Sequence, residues 1–148
     1  MNGEAPRTTR FLPLTEATYL ILISLAEAQH GYGIMATVAA ATANEVRVGP
    51  GTLYGALTKL LEQGLIERAV DNESGGQRRK LYRLTSLGQE VAAAETARLD
   101  ALAQLGRRAL EAANRGAGRG PDRGGTPAVV PREWGNDTRF SKGRTATS

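Results

Sequence analysis

Val48-Gly49-Pro50-Gly51-Thr52-Leu53-Tyr54-Gly55-Ala56-Leu57-Thr58-Lys59-Leu60-Leu61-Glu62-Gln63-Gly64 decides how this chain folds, together with the Leu65-Ile66-Glu67-Arg68 that follows it. The stretch reads as one amphipathic helix. Pro50 suits a first helical turn, where its missing N–H would be unpaired anyway. Leu53, Ala56, Leu57, Leu60 and Leu61 recur at three- and four-residue spacing and make one apolar face. Gly64 ends the helix as a left-handed cap. The opposite face carries Thr52, Tyr54, Gly55, Thr58 and Lys59. It offers hydroxyls, a phenol and an ammonium with few carboxylates, so it can enter a DNA major groove without repelling phosphates.

Directly after the helix comes a β-hairpin pattern. Leu65 to Val70 is one strand and Gln77 to Leu84 the other. The turn between them, Asp71 to Gly76, is dense in residues that tolerate positive φ. Arg78, Arg79 and Lys80 open the returning strand. A helix followed at once by a hairpin with a cationic tip is the layout of a winged helix. The helix reads the groove and the wing grips the phosphate backbone.

Composition narrows the alternatives. The chain has 148 residues, enough for one domain with a modest core. It has no cysteine, which excludes disulfides and thiolate metal sites and is compatible with a reducing cytoplasm. A single histidine, His30, leaves little material for imidazole catalysis or a multi-histidine metal site. No apolar run reaches membrane-spanning length, and the start lacks a secretory pattern. Of the net charge of +4, seven Lys or Arg and three Asp or Glu lie from Asn114 onward. Residues 1–113 therefore carry twelve of each sign and no net charge. The case for nucleic acid rests on clustering: Lys59, Arg78, Arg79, Lys80 and Arg83 on one side, acids elsewhere.

Outward from the centre, residues 1–12 read as a flexible arm. Leu14 to Ala28 is a helix with Thr15 as N-cap and Leu14 and Tyr19 at staple positions. Its body, Leu20 to Leu25, is apolar nearly all round, which predicts burial on more than one side. One side suits the domain core, and Leu20 and Ile23 suit a second subunit. Gly31-Tyr32-Gly33 breaks the pattern before a second helix from about Ile34 to Thr42. Thr85 to about Ala113, capped by Thr85 or Ser86, is the longest helix. Its distal leucines, Leu99, Leu102, Leu105 and Leu110, exceed what this domain can bury. A helix of nearly 30 residues, on the order of 40 Å, is expected to meet a twin helix in a homodimer. Folding back on the first helix is the alternative. Residues 114–148 hold seven of the eighteen glycines and no periodicity, as in a disordered Gly/Arg-rich tail.

Rival motifs fail on context. Gly31-Tyr32-Gly33-Ile34-Met35-Ala36 matches a dinucleotide fingerprint, yet the acid expected about 20 residues on is replaced by a helix start. Gly49 to Thr52 lacks the lysine of a phosphate loop. No acid, base and nucleophile converge on one element, so no enzyme is expected and no cofactor or metal site.

Four strings together carry a resemblance: His30 to Met35, Gly49 to Leu57, Leu61 to Ile66 and Arg79 to Gly88. Over roughly Leu14 to Ala113 the chain resembles the PadR family of bacterial transcriptional regulators, in its shorter form with a single C-terminal helix. The resemblance implies a mostly α fold with a small β-hairpin. Residues 13–84 form a winged helix-turn-helix, and residues 85–113 a dimerisation helix. It implies a homodimer bound to a double-stranded DNA operator in the cytoplasm. Such a protein is usually a repressor, released by a small molecule or another signal. By position, Gly51, Thr52, Tyr54 and Lys59 would face DNA and Arg78 to Lys80 would grip phosphates. Tyr54 could instead be a core aromatic, though its phase beside Leu53 argues against that. Tyr32 is expected to pack between helices, with a phosphate contact from its hydroxyl as the other reading, and Tyr82 to face the core. An apolar effector is expected in the seam between the first and last helices. The alternative function is a winged-helix adaptor that binds proteins through the long helix and tail without DNA.

Overall fold

The computed structural model describes residues 5–70 and 80–118. Two compact units divide the chain between Arg107 and Arg108. In the first unit the order is α1 (Glu16–Ser24), β1 (Gln29–His30), α2 (Gly31–Ala41), α3 (Pro50–Glu62), β2 (Ile66–Val70), β3 (Lys80–Leu84) and then α4 (Ser86–Ala117), which continues into the second. Of the second unit's described residues, all but Gly118 belong to α4, and all are exposed. The fold is mostly helical with a small antiparallel sheet.

Thr15 caps α1, accepting the Thr18 N–H at 3.2 Å. The helix stops at Ser24, four residues before the expected Ala28. Ser24 is buried, and its hydroxyl donates to the Ile21 carbonyl at 2.6 Å. The residues released lead to β1, a strand that periodicity could not reveal because it is two residues long. It forms by pairing with β3, Gln29 opposite Tyr82 and His30 opposite Leu81. The hairpin is thus part of a three-stranded sheet in the order β1-β3-β2.

Gly31 to Gly33, expected to break the chain, is instead the first turn of α2. The helix starts three residues earlier than predicted because His30, extended at the N-cap, passes straight from strand to helix. This moves Tyr32 out of the expected inter-helix position and leaves it 80% exposed.

α2 and α3 both end in Schellman motifs. After α3 the Leu65 N–H bonds the Leu60 carbonyl and the Gly64 N–H bonds that of Leu61, with Gly64 at φ +71°. After α2 the Asn44 N–H reaches Ala39 at 2.7 Å and the Ala43 N–H reaches Ala40. Here a non-glycine, Ala43, takes the left-handed position at φ 50°. The Thr42 hydroxyl then donates to the Val38 carbonyl and accepts the Val46 N–H, closing the turn into α3.

One core joins these elements. Ile21, Leu22 and Leu25 meet Ile34, Val38, Leu53, Leu57, Leu60, Leu65, Tyr82 and Val91, all nearly free of solvent. Tyr82 faces the core as its alternation with Lys80 and Leu84 predicts. α4 enters this core against the Leu65 carbonyl. A Cβ at Gly88 would stand 1.9 Å from that oxygen, so no side chain fits. Thr85 is the cap: its hydroxyl accepts the Gly88 N–H at 3.1 Å and donates to the Gly64 carbonyl.

Residues 5–12 differ from the flexible arm expected. Thr9–Phe11 make a 3-10 turn, Thr8 is buried, and Phe11 and Leu12 pack on the core. Arg7 grips Glu90 of α4 through two nitrogens. These apolar residues are too few for a periodic signal, yet they pack on the core.

Candidate nucleic-acid interface

The site is built from the outer face of α3. Leu53, Leu57 and Leu60 are buried, which turns Gly51, Thr52, Gly55, Thr58 and Lys59 to solvent. Tyr54 is 52% exposed, off the leucine face as its phase indicates. A Cβ at Gly51 or Gly55 would meet nothing within 4 Å, so packing inside the chain does not require glycine at either position. The Thr58 hydroxyl donates to the Tyr54 carbonyl at 2.9 Å. Its hydrogen is engaged, and its oxygen is left to accept.

Tyr54 does not stand alone. Its phenol leans on the first turn of α2, where a Cβ at Gly31 would lie 3.0 Å from the Tyr54 oxygen. There α2, α3 and β3 enclose a groove of about 500 Å3 lined by His30, Gly31, Tyr32, Tyr54, Lys80 and Tyr82. The His30 Nδ1 lies 3.2 Å from the Lys80 carbonyl, tying β1 to the wing. The groove therefore gathers three tyrosines, an ammonium and the N-terminus of an eleven-residue helix. Exposed N–H groups at a helix start attract anions.

The sheet sorts the wing's cations. Register pairs Ile66 with Leu84, Glu67 with Arg83 and Arg68 with Tyr82. Alternation then places Arg68 and Lys80 on the core-covering face with Ile66 and Tyr82, and Glu67 and Arg83 on the other. Arg83 therefore leaves the expected cluster. Its Nε bonds the Glu67 carboxylate at 2.6 Å. Arg68, which the sequence reading passed over, stands in the cluster instead. Cross-strand alternation was the signal that could have found it. Arg78 and Arg79 lie outside the described residues.

Lys59 and Lys80 are exposed, and among the described residues neither is in an ion pair. The ion pairs there join Arg7 to Glu90, Arg83 to Glu67 and Arg98 to Glu95. Among the described residues, the outer face of α3 and the groove beside it thus hold cations outside any ion pair, although residues 1–113 carry no net charge.

Residues 20–94 match the family model of the transcriptional regulator PadR-like family. That is just over half of the chain. This chain belongs to the PadR-like family. A PadR family transcription regulator from Clostridium difficile R20291 superposes with a TM-score of 0.56 at 26% identity, over 65% of this chain and 99% of that one. A PadR family regulator from Eggerthella lenta DSM 2243 gives a TM-score of 0.54 at 30% identity, over 64% and 80%. An uncharacterized protein of Lysinibacillus sphaericus is 31% identical over 70 residues, 47% of this chain, which spans 64% of that relative's length. The PadR match contains α2, α3 and the wing, and so all of the groove.

The residues expected at a subunit seam, Leu20 apart, are also exposed. On α4, Leu99, Leu102, Leu105 and Leu110 are 37 to 68% exposed, and Ile23 of α1 is 36%. Leu20 is half-buried against the core. Arg98, which interrupts the stripe, is bound to a carboxylate no motif marked. Glu95 is 1% exposed and accepts from Arg98 Nε and Nη2 at 2.8 and 2.6 Å. The guanidinium holds the carboxyl below the usual range against the upward push of burial. Beside it lies a cleft of about 500 Å3 lined by Leu14, Tyr19, Leu20, Val46 and Leu99 and by Glu16, Thr42, Glu45 and Glu95.

Proposed function

We propose that this chain is a dimeric, sequence-specific DNA-binding regulator acting as a repressor. α3 enters the major groove through Gly51, Thr52, Tyr54, Gly55, Thr58 and Lys59. Lys80, with Arg78 and Arg79, grips the backbone. One observation carries the reading: the exposed face of α3 runs into a groove where Tyr32, Tyr54, Lys80 and the start of α2 converge, with no carboxylate among its described lining residues. Such a surface is complementary to a phosphate strand. Membership of a family of transcriptional regulators supports it. The dimer joins α4 helices through Leu99, Leu102 and Leu105, with Ile23 beside them. The cleft between α1 and α4 receives an apolar effector against Leu14, Leu20, Val46 and Leu99, and this shifts the spacing of the two wings.

A mobility shift on the DNA upstream of the protein's own coding region tests the reading. Binding there should exceed binding to a random duplex and fall by orders of magnitude between low and moderate salt. Tyr54→Ala should cost roughly 1–3 kcal/mol and blur the preference. A folded protein that binds neither duplex would instead favour the protein-binding adaptor. An inducer that releases the operator should lose its effect when Leu20→Phe fills the cleft.

A further inference from the structure

Among the described residues, the wing carries a second cation outside any ion pair beside α3, and its place is fixed by strand register. Arg68 lies opposite Tyr82, so its side chain leaves β2 on the face that covers the core and that also bears Lys80. Past the buried Ile66 that face opens to solvent, and Arg68 is exposed there. It lines a groove with Thr58, Leu61 and Glu62 of α3 and with Ile66 and Glu67. Two carboxylates are near among the described residues, and neither forms an ion pair with it. Glu67 is occupied by Arg83 at 2.6 Å on the opposite face. Glu62 is not within ion-pair distance of Arg68, for the described ion pairs do not include it. The result is a division of labour between two arginines of one hairpin. Arg83 is consumed in holding the two strands together. Arg68 keeps its full charge and five donors for a group from outside.

The geometry points to Arg68 as a phosphate-binding residue of the DNA interface, flanking the C-terminal half of α3 as Lys80 flanks its N-terminal half. Tyr54 and Lys80 meet in one groove, Thr58 and Arg68 in the other. Cations on both sides let the chain hold a phosphate strand along the length of α3 rather than at one end. Arg83, which has the same charge and lies on the neighbouring strand, takes no part in it. This assignment rests on the DNA-binding reading above.

The test measures the affinity of the full chain for a labelled random-sequence duplex across a salt series, because phosphate contacts are read on any sequence. Wild type supplies the slope of log affinity against log salt. Arg68→Ala should weaken binding roughly tenfold at low salt and reduce the slope by about one. Arg68→Lys should restore the slope, because an ammonium still neutralises one phosphate. Arg83→Ala should leave the slope unchanged while lowering the melting temperature slightly. A wild-type slope in Arg68→Ala overturns the assignment alone. So does a slope lost in Arg83→Ala and kept in Arg68→Ala. A wild-type chain that binds no duplex at low salt overturns the DNA-binding reading and the assignment with it.

Discussion

At the scale of single residues, two positions show how closely the backbone conditions the sequence. Gly88 sits where α4 crosses the Leu65 carbonyl, and a methyl there would lie 1.9 Å from a backbone oxygen. Nothing flexible can give way. Gly88→Ala should therefore cost about 2–4 kcal/mol through forced displacement of α4, read as a lower midpoint in urea unfolding. An unchanged midpoint would mean that α4 does not enter along Leu65. Ala43 is the reverse case. It holds φ 50° at the end of α2, where glycine is the usual residue, and it is exposed. The left-handed conformation costs an L-residue roughly 1–2 kcal/mol, while glycine gives back roughly 0.5–1 kcal/mol in chain entropy. Ala43→Gly should then stabilise by about 0.5 kcal/mol and raise the melting temperature by a few degrees. A lower melting temperature would contradict the strain.

At the scale of elements, α4 joins apolar packing to one buried charge. Glu95 and Arg98 lie on neighbouring turns, and the pair occupies the position where the leucine stripe is interrupted. Hydrogen bonds from Arg98 keep the Glu95 carboxyl below its ordinary value near 4.5, the largest effect, with burial opposing. A carboxyl whose folded value is depressed stabilises the fold above its unfolded value, and that contribution is lost as pH falls through the folded value. Wild type should therefore lose melting temperature below about pH 4.5, where Glu95→Gln loses less. The gap between the two proteins should narrow with acid. A gap independent of pH would show that the pair does not stabilise the helix. Arg98→Met should be worse than Glu95→Gln, because it strands a buried carboxylate instead of removing it.

At the scale of the whole molecule, the proposed dimer decides where two wings can reach. Leu102 and Leu105 are half exposed in the single chain, although apolar residues at helical spacing normally seek cover. Leu102→Asp would place a carboxylate in the seam, at a cost on the order of several kcal/mol. Sedimentation should then find monomer where wild type is dimer. Operator binding should fall even though each domain still folds, because half-sites roughly 34 Å apart need two fixed wings. An unchanged sedimentation profile would place the subunit contact elsewhere.

How much was legible in the sequence follows from the range over which each signal acts. The leucine phase of α3 was enough to bury Leu53, Leu57 and Leu60 and to turn Tyr54 outward, because helical periodicity is local. Thr15 as a cap and Gly64 as a left-handed stop are also local chemistry, and they stand where expected. Tyr82 turned inward because a strand alternates. What only the tertiary structure decided involves partners distant in the chain. β1 exists because β3 offers it an edge. Tyr32 is exposed because β1 runs directly into α2. Gly88 must be glycine because Leu65 lies beneath it. Glu95 is buried because the core closes over it, and Arg98 on the next turn compensates its charge. Arg68 and Arg83 cannot be told apart by composition. Register alone sets Arg83 against Glu67 and leaves Arg68 beside α3, since one step along a strand exchanges the two faces of a sheet.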